Sequence, residues 1–271
     1  MPLFVVATPI GNLRDMTGRA REVLAACDAV VAEDTRHSGQ LLQHFGIQGK
    51  PFIALPAFDE AHRAEPILRR LAEGASLALV TDAGTPGVSY PGQLLVRRAV
   101  EQGIAVVPVP GASAVLAAVS VSGFAETRFH FAGFLPRKAS ARDEMLSELK
   151  PLRAQLVFYE SPQRLHDTLL VLHAALGDRR ALVARELTKV HEELARGTLA
   201  ELAERYAVEA RGEIVIVVSG AGEPEPPDPA ELEREVLEHL ARGERPKEIA
   251  EALSDRWPKR EVYNLAIRLK P

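Results

Sequence analysis

The chain has one cysteine, Cys27. That excludes an internal disulfide and a cysteine-built zinc site, and it makes Cys27 a buried small hydrophobe on a helix face. No apolar run approaches the ~20 residues that span a bilayer. The start, MPLFVVATPIGN, lacks a basic leader and its apolar run is strand-length, so neither a signal peptide nor a membrane contact is expected, and the cytoplasm is the expected compartment. Five histidines (His44, His62, His166, His173 and His239) show no metal-ligand spacing, and no bound metal is expected. TPIGNL after the first strand has one glycine, which excludes the GxGxxG dinucleotide fingerprint, and no GxxxxGK[ST] phosphate loop occurs. Positive charge is also not in excess: the net charge is −4 and the pI about 6.1. Such a chain holds naked nucleic acid weakly, because phosphate contacts need clustered Lys and Arg.

What is present is a core. Of 271 residues 46% are hydrophobic and the mean hydropathy is −0.04, enough for two α/β domains or one large one. Strand candidates Leu3–Ala7, Ala29–Ala32, Phe52–Leu55, Ser76–Val80 and Ile104–Val109 alternate with helical patterns from Thr17 to Ala26, Ser38 to Phe45, His62 to Glu73, Gly92 to Gln102 and onward from Ala112. Continuous apolar strands in a βαβα rhythm predict a mostly parallel sheet covered on both faces. The texture changes near residue 124. Strands follow at His130–Leu135, Gln155–Tyr159, Ala181–Arg185 and Ile214–Val218, with a helix over Gln163–Leu176.

The run Gly220–Pro229, GAGEPEPPDP, reads as a linker. Asp228 and Glu231 form a capping-box-like start with Pro229 at the first helical position. Leu232, Val236 and Leu240 make one stripe, and Pro246–Ser254 and Arg260–Leu269 give two more short helices. Three short helices suggest a helix-turn-helix-like unit, for which nucleic-acid binding and a packing or dimerisation role both stay open. Domains are therefore expected at 1–123, 124–222 and 228–271.

Three small-residue turns end three of the strands: Thr8-Pro9-Ile10-Gly11-Asn12, the run VTDAGTPGVS over 80–89, and Pro108 to Ala114. Gly-rich turns at the carboxyl ends of buried strands are where open α/β sheets bind ligands. Together and in order, these turns resemble the tetrapyrrole-methylase superfamily of S-adenosylmethionine (SAM) methyltransferases. Ala32 to His37, AEDTRH, and Ala184 to Glu193, ARELTKVHEE, look like the branch that modifies small-subunit ribosomal RNA. The similarity covers nearly the whole chain.

The resemblance implies two α/β domains with a SAM cleft between them, the class III methyltransferase fold, plus the C-terminal helical unit. It implies SAM as cofactor, a cytidine 2′-hydroxyl of 16S rRNA near the decoding site as target, and a homodimer acting on the small ribosomal subunit. Pro9, Ile10, Gly11, Asp82, Gly84, Thr85, Pro86, Val88, Gly111, Ala112, Ser113 and Tyr159 are the expected cofactor residues. A ribose hydroxyl is a poor nucleophile until a nearby base takes its proton. Glu33, Asp34, Arg36, Glu186, Lys189 and Glu192 are the expected catalytic group, with the identity of the base open. A helix-capping turn at Glu33–Thr35 and a charged helix surface over 186–193 are the plainer readings of those stretches. Arg137 and Lys138, ending a strand in a basic loop, and Lys259 and Arg260 are candidate RNA contacts. Two other classes stay open: a precorrin-type C-methyltransferase on the same fold, and a binding module without turnover.

Overall fold

The computed structural model describes every residue except Tyr90, Glu209, residues 223–228, Asp255 and Pro271, and the side chain of Pro229. The cap expected at Asp228 therefore lies outside the described residues. The chain forms two compact units, residues 1–220 and 221–271.

The first unit contains two five-stranded sheets. Strands β1 (Leu3–Val6), β2 (Ala29–Ala32), β3 (Phe52–Ala54), β4 (Leu77–Val80) and β5 (Val106–Val109) run parallel in the order β3-β2-β4-β1-β5. Helices α1 (Gly18–Ala26), α2 (Thr35–His44), α3 (Glu60–Ala72) and α4 (Gln93–Glu101) connect them, and α5 (Ala114–Ser120) leaves β5. Every residue of β2 and β4 is fully buried. Alternate side chains feed opposite faces: Val31, Leu77 and Leu79 pack with Ile67, Leu68 and Leu95, while Val30, Ala78 and Val80 pack with Leu24 and Leu42. Each buried Leu of this kind contributes roughly 1.5–3 kcal/mol.

Helices α2 and α5 start away from the sequence pattern because a cap lies earlier or later than the apolar stripe. Helix α2 begins at Thr35, not Ser38, because the Asp34 carboxylate accepts the Arg36 backbone N–H at 2.8 Å. Helix α5 begins at Ala114, not Ala112, behind the Ser113 cap.

The second sheet has β6 (Phe129–Phe134), β7 (Gln155–Glu160), β8 (Arg180–Arg185), β9 (Glu193–Thr198) and β10 (Ile214–Val218) in the order β6-β7-β10-β8-β9. Only β6 and β7 pair in parallel; β10 is antiparallel to both β7 and β8, and β9 is antiparallel to β8. Helices α6 (Ala139–Leu149), α7 (Leu165–Leu176) and α8 (Leu199–Arg205) complete it. Strand β9 escapes periodicity because the residues it buries, Ala195 and Gly197, are small. Helix α8 is announced by a capping box, Thr198 with Glu201.

The second unit contains α9 (Pro229–Ala241), α10 (Pro246–Ala252) and α11 (Lys259–Leu269). Leu232, Val236, Ile249, Trp257, Val262 and Ala266 form its core. The Trp257 indole N–H donates to the Glu235 carboxylate at 3.2 Å.

Candidate active site

The three turns at the carboxyl ends of β1, β4 and β5 are bonded to one another. Thr8 and Gly84 exchange backbone hydrogen bonds of 2.9 and 3.1 Å, and the Thr8 hydroxyl donates to the Thr81 carbonyl. The Thr85 hydroxyl donates to the Ala112 carbonyl at 3.2 Å. Gly84 has φ +79°, a conformation open to glycine, and its Cα lies against Ile10. A Cβ on Gly111 would stand 3.1 Å from that of Ala7.

These turns form one wall of a cavity of about 370 Å³. From the first sheet it takes Ile10, Glu33, Gly84, Thr85, Val88 and Ser113. Across from them stand Phe134, Tyr159, Glu160, Leu187, Glu213 and Val215 of the second sheet and its loops. Of the expected cofactor residues, Ile10, Gly84, Thr85, Val88, Ser113 and Tyr159 line it. Pro9, Gly11, Asp82, Pro86, Gly111 and Ala112 belong to the same turns without lining it.

Glu33 is the expected catalytic residue that reaches the cavity. Burial raises its pKa, and the nearby charges of Asp82 and Asp34 push the same way. Its neighbour Asp34 faces elsewhere: it caps α2 and binds the Arg36 guanidinium, with contacts of 2.8 and 3.2 Å. That pairing holds the Asp34 carboxyl well below the usual range. The capping reading thus applies to Asp34, while the adjacent Glu33 is free to meet a ligand. Asp82 accepts the Asp34 backbone N–H at 3.2 Å, so the ends of β2 and β4 are joined.

Residues 186–192 are not a helix surface. They form a turn between β8 and β9, because Glu186 (φ 53°) and Thr188 (φ 68°) adopt left-handed backbone that ends any helix. Such non-glycine residues cost about 1–3 kcal/mol each and cluster at functional sites. The turn seats Leu187 in the cavity wall. Lys189 Nζ donates to Glu186 Oε1 and Glu213 Oε2, both at 2.8 Å. Burial pulls the Lys189 pKa down, but these two bonds outweigh it and the net shift is upward. The Lys189 bond holds the Glu186 pKa low. Glu192 accepts the Thr188 backbone N–H at 2.7 Å and so braces the turn. Lys189, Glu186 and Glu192 therefore support the wall from behind.

The expected RNA contacts fall two in each unit. Arg137 and Lys138 are exposed just past β6 and make no ion pair among the described residues. In the second unit Lys259 pairs with Glu251 at 2.7 Å, and Arg260 is exposed.

Residues 2–203 match the family model of the tetrapyrrole (corrin/porphyrin) methylases. The chain belongs to this family. The methylase is 44% identical over 272 residues to a protein of Halalkalibacterium halodurans named ribosomal RNA small subunit methyltransferase I, covering 97% of this chain and 93% of that one. Proteins of the same name from Xylella fastidiosa (50% identity, 82% of each chain) and Synechocystis (43%, 99% and 98%) are also similar. Among solved structures, diphthine synthase superposes with a TM-score of 0.62 at 17% identity over 81% of this chain and 90% of that one. Uroporphyrin III C-methyltransferase from Thermus thermophilus gives 0.57 at 18%, over 80% and 97%. Both likenesses are of fold.

The methylase cavity also holds residues that pattern alone passes over: Gly212, Glu213, Ile214 and Val215. They open β10, an amino end where ligand sites are not sought. Because β10 is antiparallel to β7 and β8, Ile214 lies opposite Glu160 and Arg185, at the carboxyl ends of those strands. A glycine just before the apolar run IVIVV is the one local signal.

Proposed function

We propose that this protein transfers a methyl group from S-adenosyl-L-methionine to the 2′-hydroxyl of a cytidine in 16S ribosomal RNA, near the decoding site, on the assembled small ribosomal subunit. It would do so in the cytoplasm, as a homodimer whose two α/β halves meet near residue 124. The observation that carries this reading is the similarity, at 43–50% identity over 82–99% of the chain, to proteins named ribosomal RNA small subunit methyltransferase I.

The cavity suits that cofactor. Its volume is that of a small-molecule site. Ile10, Val88, Leu187, Val215 and Tyr159 offer apolar surface for a nucleoside, and Thr85 and Ser113 offer hydroxyls. Glu33 puts a carboxylate beside it that no cation pairs among the described residues, favouring a ligand that carries positive charge. When bound, the cofactor supplies an electrophilic methyl group on a sulfonium.

Glu33 is our choice for the base. Its carboxylate lies on the wall, and its raised pKa makes it a better proton acceptor than an ordinary glutamate. It would accept the ribose hydroxyl proton on a carboxylate oxygen as the new O–C bond forms. Arg36, almost fully exposed beyond its bond to Asp34, is suited to hold a backbone phosphate near that base. The Glu186–Lys189–Glu213 bridge fixes the wall so that the hydroxyl and methyl group meet in line, from which positioning derives much of the rate. Arg137, Lys138 and Arg260 are the remaining proposed RNA contacts.

The test is methyl transfer from radiolabelled cofactor to small subunits taken from cells lacking the enzyme, with nuclease mapping of the label. Label on a cytidine 2′-oxygen of 16S RNA is the expected result. Cofactor binding without label on RNA overturns the substrate assignment.

A further inference from the structure

Phe134 stands out among the cavity residues. It is 52% exposed, although it lines the cavity and the two rings beside it, Phe131 and Tyr159, are half-buried. Strand β6 carries a bulge at this point. Phe131 lies opposite Val157, but Gly133 lies opposite Phe158 and Phe134 opposite Tyr159. Without the extra residue, position 133 would face Tyr159 and Phe134 would point to the other side of the sheet. Gly133, at φ +69°, is the residue whose backbone permits the shift. The bulge therefore re-aims Phe134 toward the cavity.

Its ring is then fixed from below. Phe134 meets Tyr159 edge-on with centroids 5.6 Å apart, and Tyr159 meets Phe131 in the same manner at 4.9 Å. One ring of this stack remains open to solvent. Immediately after it, Arg137 and Lys138 are exposed and unpaired among the described residues. An exposed, braced aromatic ring on a cavity wall, followed closely along the chain by free cations, is an arrangement by which proteins hold an unstacked base and its phosphate.

We propose that Phe134 is a stacking platform for a nucleobase of the RNA substrate, a base at or beside the target nucleotide, with Arg137 and Lys138 holding the adjoining phosphates. This rests on the ribosomal RNA reading above. It implies that the substrate presents an unstacked nucleotide, since a ring at this position has no access to a base inside a helix.

The experiment compares full-length wild type, Phe134→Ala and Phe134→Trp. Methyl transfer is followed against small-subunit concentration, and cofactor affinity is measured separately by calorimetry. Phe134→Ala is expected to raise the KM for subunits about tenfold, the loss of one base–aromatic stack. Cofactor Kd should stay within about twofold, and Phe134→Trp should restore the KM. An unchanged KM overturns the proposal. So does an equal loss of cofactor affinity, which would assign the ring to the cofactor's adenine.

If the wild type transfers no methyl to subunits, the functional reading fails by itself. Stacking is then judged by the fluorescence of Phe134→Trp, corrected for Trp257 with the wild type. Quenching by a short single-stranded RNA and not by adenosine supports the platform; no quenching by RNA overturns it.

Discussion

The side chain of Lys189 lies on the backbone of Gly11. A Cβ added to Gly11 would stand 2.5 Å from the lysine Cγ, so the first turn and the loop between β8 and β9 are in contact through a glycine and an aliphatic stem. The lysine head continues to Glu186 and Glu213. This one side chain links an element of each sheet behind the cavity wall.

Gly11→Ala is therefore expected to displace Lys189 and destabilise the fold by about 1–3 kcal/mol, the usual cost of overpacking. It should also weaken cofactor binding. The double variant Gly11→Ala/Lys189→Ala is expected to recover part of the stability, because the overlapping stem is gone. Urea unfolding of the four-member cycle measures this coupling; additive losses would rule out the contact.

Lys189→Met tests the bridge itself. The Glu186 pKa is lowered in the folded protein. Its contribution to stability is thus present above the unfolded pKa and disappears as pH falls through the folded one. The Lys189 pKa is raised, so its contribution is present below the unfolded value and disappears as pH rises through the folded one. Removing the lysine should cost about 1 kcal/mol at neutral pH and move the acid unfolding midpoint upward. A midpoint that stays in place in circular dichroism would show that the bridge adds nothing.

Glu33 makes a pH prediction. Its pKa is raised, first by burial and then by Asp82. The acid limb of kcat should lie above the ~4.3 of a free glutamate. Asp82→Asn removes one of the charges that raise it, so that limb should shift to lower pH. Glu33→Gln should abolish the limb and cut kcat by about 10²–10⁴, the range for a general base. A pH–rate profile checks all three, and a wild-type profile in Glu33→Gln would exclude Glu33 as base.

The Glu160 side chain is fully buried. It accepts the Thr168 hydroxyl at 2.6 Å and the Ser161 backbone N–H at 2.8 Å, and Arg164 stands 3.5 Å away. Thr168→Val keeps the volume and deletes one donor to a buried carboxylate. A loss of about 1.5–3 kcal/mol is expected by urea denaturation, while Thr168→Ser should lose less. Equal stability of the valine variant and wild type would show that the hydroxyl bond is not needed.

The strands of the first sheet and the three turns were legible in the sequence, because parallel strands buried on both faces are continuous apolar runs and the glycines and prolines after them mark their carboxyl ends. The Thr17 cap of α1 and the apolar stripes of α9 and α11 were equally local. Glu33 was readable as a strand-end acid. What separates it from Asp34 was not, since both follow the same strand and only the cap geometry of α2 turns one carboxylate outward.

Tertiary structure decided the other half of the cavity. Gly212 and Glu213 join it because β10 runs against its neighbours, and no residue in IVIVV states its direction. The left-handed turn at Glu186 and Thr188 is carried by residues with no local preference for it; it is held by the bonds of Lys189 and Glu192. Phe134 faces the site through a bulge, a shift of one residue that reverses which side of a sheet a side chain joins. Sequence determines where apolar runs start and stop, because that depends on neighbours along the chain. Direction, register and the facing of a single ring depend on pairing with distant strands, and only the folded chain brings those partners together.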